Sequence, residues 1–361
     1  MTTASTIQAS TTLTQSTSNS NVQDSQNPGD ELSQFALWVF TELGIEVSAD
    51  ANGVYTAVLP QSDDRLSEDE FVFVLQGSNA EASIERLTPN HKLLRHAVEA
   101  LRLRPELPHL APRDQPQGIP QLTEALFALY QVTGGKVQLG GYHIEDRPVL
   151  RVTRLSIDPK QPDCQHHYFW ENNKRLSTEE IEELGLGSAD PVELHLSKVQ
   201  KDQTDSLKQN HSQISSSDSE QTLSVATVLW CKHVSGKIDL CVEESCVGVP
   251  FSAWARPLAN GQQTMPPYVC PYTGQQSYQI ASTDDGKITV AEAIEQCEQS
   301  GKRLLKTELQ TCCVSNQRVS QKLLITCASS GDFLLTEHAV SCDLCQQLVA
   351  PGQIRMHRCS I

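Results

Sequence analysis

No run of apolar residues in this chain approaches the ~18 that a membrane-spanning helix needs, so the sequence predicts no membrane segment. The first thirty residues lack the apolar stretch of a secretory signal. They are rich in Ser, Thr and Gln, and read as a disordered tail over 1–30. Basic residues are also scarce: 28 Lys and Arg stand against 44 Asp and Glu, for a net charge of −16. The deficit is concentrated early, with 27 acidic against 14 basic residues between Asp30 and Leu196. A surface of that sign argues against broad contact with a phosphate backbone, which requires clustered Lys and Arg. Catalytic signatures are missing too. There is no Gly-x-Ser-x-Gly elbow, His-Glu-x-x-His pair or dinucleotide fingerprint. Thr133-Gly-Gly-Lys136 lacks the spacing of a phosphate loop and reads as a turn.

Cysteine, by contrast, is abundant, with 12 residues. Without an export signal the expectation is a cytoplasmic protein with reduced thiols, some of them holding metal. Four cysteines fall at a constant interval of fifteen: Cys297, Cys312, Cys327 and Cys342, and the next step lands on His357. The units share an opening Cys-x-x-Ser-Gly or a variant of it. Ser300, Ser315 and Ser330 take the fourth place, and Gly301, Asn316 and Gly331 the fifth. A fixed period of this kind marks a repeat architecture. The fifth place predicts a left-handed backbone, which Gly adopts freely and Asn tolerates best among the others. Cys270-Pro-Tyr-Thr273-Gly274 is an earlier relative of the unit. The array is expected to be a series of short β-hairpins, each pinned by a turn like that of a zinc knuckle.

Only the fourth unit keeps a complete Cys-x-x-Cys, at Cys342 and Cys345. Tetrahedral zinc needs two further ligands. Cys359 is one candidate, with His357 or Cys327 as the other, giving one zinc site. A second site from Cys297, Cys312, Cys313 and Cys327 competes with the simpler role of small buried hydrophobes. The same applies to Cys231-x-His233 with Cys241 and Cys246, which are expected to be packed thiols. Cys164, His166 and His167 look like a fragment of a metal or Cys/His catalytic site, but are expected to be surface loop residues. Glu179, Glu180, Glu182 and Glu183 read as the solvated face of a helix.

Hydrophobic periodicity places helices over 31–46, 89–103 and 120–130, with a Pro-rich connector at 105–120. Strands are expected at 54–59, 70–75 and 168–170, and at 136–139 and 149–156 as a hairpin with Gly140, Gly141 and Glu145-Asp-Arg-Pro near its turn. Ser177 and Glu180 have capping-box spacing. A further strand is expected at 192–196, and others at 223–230, 237–242 and 247–253. The resulting division is a disordered tail (1–30), an acidic α+β domain (31–197), a polar linker (198–222) and a β-rich domain (223–361). The last ends in the zinc-ribbon-like array (270–361). The fold class is α+β, because helices and strands mix without a βαβ rhythm.

Cys270-Pro-Tyr-Thr-Gly, Thr283-Asp-Asp-Gly-Lys-Ile and the Cys-x-x-Ser-Gly ladder together resemble an uncharacterised bacterial family with Cys-x2-Ser/Thr-Gly arrays. These are similar to regions that accompany some Swi/Snf-type helicase proteins. The stretch Leu126–Arg151, with Gly-Gly-Lys-Val and Glu-Asp-Arg-Pro-Val-Leu, is similar to the same group. The resemblance covers about residues 120–361 and brings no established activity, and helicase motor motifs are absent. The function expected from these features is a non-enzymatic adaptor that docks a protein partner through the array. The alternatives are an accessory nucleic-acid-binding protein using residues 297–361, with Lys302, Arg303, Lys306, Arg318 and Lys322 as contacts, or an enzyme centred on Cys164, His166 and His167.

Overall fold

The computed structural model describes residues 28–61, 66, 68–75, 84–158, 162–192, 196–215, 221–355 and 358–359. The tail up to residue 27 lies outside them, as do three residues of the strand expected at 192–196. Two compact units emerge. The first contains residues up to Arg104 together with Arg154–Gln165 and Asp218–Val225, and the second contains the rest. This division differs from the expected one because three strands contribute residues to both units.

In the first unit, helix α1 (Pro28–Glu42) and helix α2 (Lys92–Arg102) flank strands β1 (Glu46–Ala49), β2 (Val54–Val58), β3 (Glu70–Val74) and β4 (Glu85–Arg86) in the order β1-β2-β3-β4. The first three are antiparallel and β4 is parallel to β3. Helical spacing puts Leu32, Phe35, Ala36, Val39 and Phe40 on one side of α1, and Leu93, Leu94, Ala97, Val98 and Leu101 on one side of α2. Both sets are buried around Phe73, whose ring stacks on Tyr55.

The second unit is built on strand β5 (His109–Pro112), helix α3 (Thr123–Phe127), β6 (Gln131–Val132), β7 (Gly135–Ser156), β8 (Asp163–Phe169), α4 (Thr178–Leu184), β9 (Ala189–Pro191), α5 (Lys198–Ser215), β10 (Thr222–Val242), β11 (Ser245–Trp254) and α6 (Ala255–Ala259). The sheet order is β8-β7-β10-β5-β9, with β11 also paired to β10. The hairpin expected between residues 136 and 156 is instead a single strand. Of its glycines, Gly140 serves close approach rather than a turn, since a Cβ there would collide with the Asp239 carboxylate. A Cβ on Gly236 of β10 would sit 2.3 Å from the carbonyl oxygen of Gly141 and 2.9 Å from Cα of Tyr142. The expected linker is also largely helical. A reciprocal Ser197–Gln200 cap opens α5, and its Leu207 is buried among Leu150, Val152, Val228 and Trp230. One well-placed apolar side chain and a cap compensate for an otherwise polar sequence. Ser177 and Glu180 form the expected capping box on α4.

Strands β12 (Tyr268–Val269) and β13 (Gln276–Ser277) pair, and β14 (Gln279–Ser282) and β15 (Ile288–Val290) join β6. A ladder of two-stranded hairpins follows: β16–β17 (Ile294–Gln296, Arg303–Leu305), β18–β19 (Leu309–Thr311, Arg318–Ser320), β20–β21 (Leu324–Thr326, Phe333–Leu335), β22–β23 (Val340–Ser341, Leu348–Val349) and β24–β25 (Ile354–Arg355, Arg358–Cys359). The fold is therefore α+β and ends in small hairpin sheets.

Candidate functional site: the hairpin ladder

The first four rungs are closed by the same turn. The cysteine amide donates to the carbonyl five residues on, and the amide of the fifth residue returns to the cysteine carbonyl, as in Cys297 N to Lys302 O and Gly301 N to Cys297 O, both 2.8 Å. The fifth residue has φ of 69° at Gly301, 58° at Asn316, 77° at Gly331 and 59° at Gln346, the left-handed backbone expected from the sequence. Rungs are then tied together by two bonds. The residue after the cysteine donates to the next hairpin: Glu298 to Arg318 O, Cys313 to Phe333 O and Ala328 to Leu348 O, at 2.8–3.1 Å. In return, the cysteine sulfur accepts a backbone N–H from that hairpin: Ser320 to Cys297 Sγ at 3.3 Å, Leu335 to Cys312 Sγ at 3.4 Å and Ala350 to Cys327 Sγ at 3.3 Å. Against the effect of burial, the hydroxyls of Ser315 and Ser330 first, and these backbone bonds with them, hold the thiol of Cys312 down at about 6 and that of Cys327 at about 7. His338 Nδ1 lies 3.6 Å from the Cys312 sulfur and acts in the same direction.

The fixed period therefore has a packing role: Cys297, Cys312 and Cys327 hold successive rungs together. Of the residues expected at zinc, Cys342 is buried, Cys345 is exposed and Cys327 is bonded to Ala350. His357 and the side chain of Cys359 lie outside the described residues. Among the described residues, no three His, Cys, Asp or Glu side chains are grouped to hold a metal ion.

Across the first rungs runs a groove of about 360 Å³, lined by Asp284, Asp285, Ser300, Lys302, Leu304, Glu308, Ser320, Gln321, Lys322 and Leu323. Its charges are not equivalent. Asp284 is paired to Arg303 at 3.0 Å, while Lys287 bridges Asp285 and Glu308. Lys302 and Lys322 form no ion pair among the described residues. Arg318 is held by Glu295 at 3.1 Å. The sequence gives no direct sign of this groove, because its lining comes from three successive hairpins.

The other candidates separate. Cys164, His166 and His167 lie on β8, not in a surface loop. Alternation sends His166 to Thr153 (2.9 Å) and His167 to Arg175 (2.9 Å). Burial pulls the His166 imidazole down to about 3. Cys241 and Cys246, expected to be packed thiols, are joined as a disulfide. They face each other across the β10–β11 hairpin with Cα atoms 4.1 Å apart, close enough for their sulfurs to bond directly. Cys231 is buried, which raises its thiol pKa. His233 turns instead toward Ser252 on β11.

Comparison with known proteins finds no matching family model, curated protein or solved structure. No helix among the described residues is long and apolar enough to cross a membrane.

Proposed function

We propose that the chain is an adaptor that docks an acidic peptide segment of a partner protein in the ladder groove. The observation that carries this reading is the pair Lys302 and Lys322, which form no ion pair among the described residues, beside the apolar side chains of Leu304 and Leu323. Three carboxylates share the groove, but each already has a cation. An incoming carboxylate would therefore meet the two unpaired ammonium groups, while an apolar side chain beside it would cover the leucines.

Nucleic-acid binding is the second reading. It has less to work with: of the five basic residues suggested for it, Arg303 and Arg318 are engaged by Asp284 and Glu295. Zinc stays in the proposal at Cys342 and Cys345, completed by Cys359 and either His357 or Cys327. Cys327 suits the role less, because its sulfur already serves Ala350.

The test is fluorescence anisotropy of the full chain against labelled peptides alternating Leu with Asp or Glu, with a duplex DNA as the second probe. Peptide binding that falls about tenfold or more in Lys302→Glu/Lys322→Glu, a loss of about 1.4 kcal/mol, supports the adaptor. Absence of peptide binding, or binding unchanged by the double substitution, refutes it. Salt-sensitive DNA binding lost in the same variant would establish the second reading instead.

A further inference from the structure

A separate constellation lies on the central sheet of the second unit. β7, β10 and β11 are adjacent strands, and they place Glu145, His233 and Ser252 side by side. In the β10–β11 register His233 pairs with Trp254, so Ser252 is its diagonal neighbour on the same face. Ser252 Oγ is 3.0 Å from His233 Nε2. On the other side of the ring, His233 Nδ1 is 3.7 Å from Glu145 Oε1. That nitrogen is buried and has no hydrogen-bond partner among the described residues. Glu145 is held in turn by Arg147 Nε at 2.6 Å, and His143 stands 3.7 Å from its other oxygen.

The order of groups is nucleophile, base and orienting carboxylate, with an exposed serine and a buried histidine. The rings of Trp254 and His233 meet edge-to-face with centroids 5.1 Å apart, and Trp254 stacks on Trp170 with centroids 5.3 Å apart. These two rings, Arg147, Pro148, Glu171 and Asn172 line an open groove of about 200 Å³, joined to the histidine through Trp254 and to the carboxylate through Arg147. Neither a linear motif nor a fixed spacing connects the three residues. The strand register alone brings them together.

We infer that Ser252 is a nucleophile activated by His233, with Glu145 as the positioning residue, and that the site takes small carboxylic esters whose flat apolar part lies against Trp254 and Trp170. Burial and the nearby Arg147 hold the His233 imidazole below its usual range, with Glu145 opposing them, so the ring is neutral near pH 7. With its proton on Nδ1, facing Glu145, the ring leaves Nε2 to accept the Ser252 proton. Oγ then bonds to the ester carbon. As the carbon–oxygen bond to the alcohol breaks, the proton passes from Nε2 to the departing oxygen. Water, deprotonated by the same nitrogen, releases the acid and restores the serine. The sum is ester plus water giving acid plus alcohol, with no other reactant. Asn172 is a hydrogen-bond donor in the groove for the negative charge that develops on the carbonyl oxygen, and Arg147, paired to Glu145, adds positive charge beside it.

The experiment treats the full chain with a fluorophosphonate probe and with p-nitrophenyl acetate, and locates the adduct by peptide mass spectrometry. The expected result is a single adduct on Ser252, absent in Ser252→Ala, with ester hydrolysis lost in the same variant. His233→Gln should lower the labelling rate by about 100-fold or more, the lower range of general-base contributions. Glu145→Gln should slow labelling and move the midpoint of its pH profile downward, which loss of packing alone would not do. Ser252→Ala replaces an exposed side chain but takes a hydrogen bond from His233, so its melting curve is compared with that of the parent and only a folded variant is scored for chemistry. A folded parent whose Ser252 stays unlabelled while a known serine hydrolase reacts, or hydrolysis unchanged in Ser252→Ala, overturns the assignment. The ladder groove is not involved, so peptide binding to Lys302 and Lys322 is unaffected by either outcome.

Discussion

Replacing Cys312 with alanine tests the account of the ladder at one atom. Its sulfur accepts the amide proton of Leu335, a residue 1% exposed, so water cannot readily replace it. An orphaned buried N–H costs about 1–3 kcal/mol. The lost sulfur is comparable in size to one buried methylene, about 0.8 kcal/mol. The expected destabilisation is therefore about 2–4 kcal/mol. It should appear mainly as local opening, because each rung is tied to its neighbours. Hydrogen exchange followed by mass spectrometry should show the Leu335 amide exchanging at least tenfold faster, since tenfold corresponds to about 1.4 kcal/mol. Cys313→Ala is the control. That thiol is exposed, and only its backbone bonds to Phe333, so the change should stay within about 0.5 kcal/mol. Unchanged exchange at Leu335, or equal effects of the two substitutions, would show that the sulfur bond contributes nothing.

Three further outcomes are expected. His166 is held at about 3 in the folded chain, against about 6.5 in an unfolded one. The unfolded state therefore takes up a proton that the native state refuses. Stability is full above pH 6.5 and declines progressively toward pH 3, and the decline should be shallower in His166→Gln when urea midpoints are compared at pH 7, 5.5 and 4.5. Gly236→Ala forces a Cβ against backbone and should cost about 1–3 kcal/mol in denaturant unfolding. Gly141→Ala meets nothing within 4 Å and should be tolerated far better. Metal analysis of the purified chain should find one zinc that is lost in Cys342→Ser, and a parent without zinc would end the metal reading.

Much of the fold was legible because its signals are local. Amphipathic spacing marked α1 and α2, the Ser177–Glu180 pair marked the cap of α4, and the fifth place of the repeat marked the left-handed turn. The misreadings involve contacts between segments far apart in sequence. Gly140 and Gly141 look like a turn until the opposing strand is known, and α5 looks like a linker until Leu207 has a core to enter. Cys241 and Cys246 became partners only once the hairpin register brought them opposite each other. The candidate sites followed the same rule. The cysteine period was visible, but its use as a run of sulfur acceptors depends on hairpins that stack. Ser252 carries no signal of its own in the sequence, because its partners come from two other strands.

The constant offset between rungs makes them interchangeable parts. Ser320, Leu335 and Ala350 each stand eight residues after the cysteine of their own rung, and each serves the sulfur of the rung before. Removing residues 312–326 would bring Leu335 to the Cys297 sulfur in the place of Ser320, with every other tie between rungs renewed. Removing fourteen residues would leave the sulfur facing the wrong amide. The ladder can therefore grow or shrink by whole periods without redesign, and its reach can be lengthened by copying a unit while the body of the protein is left untouched.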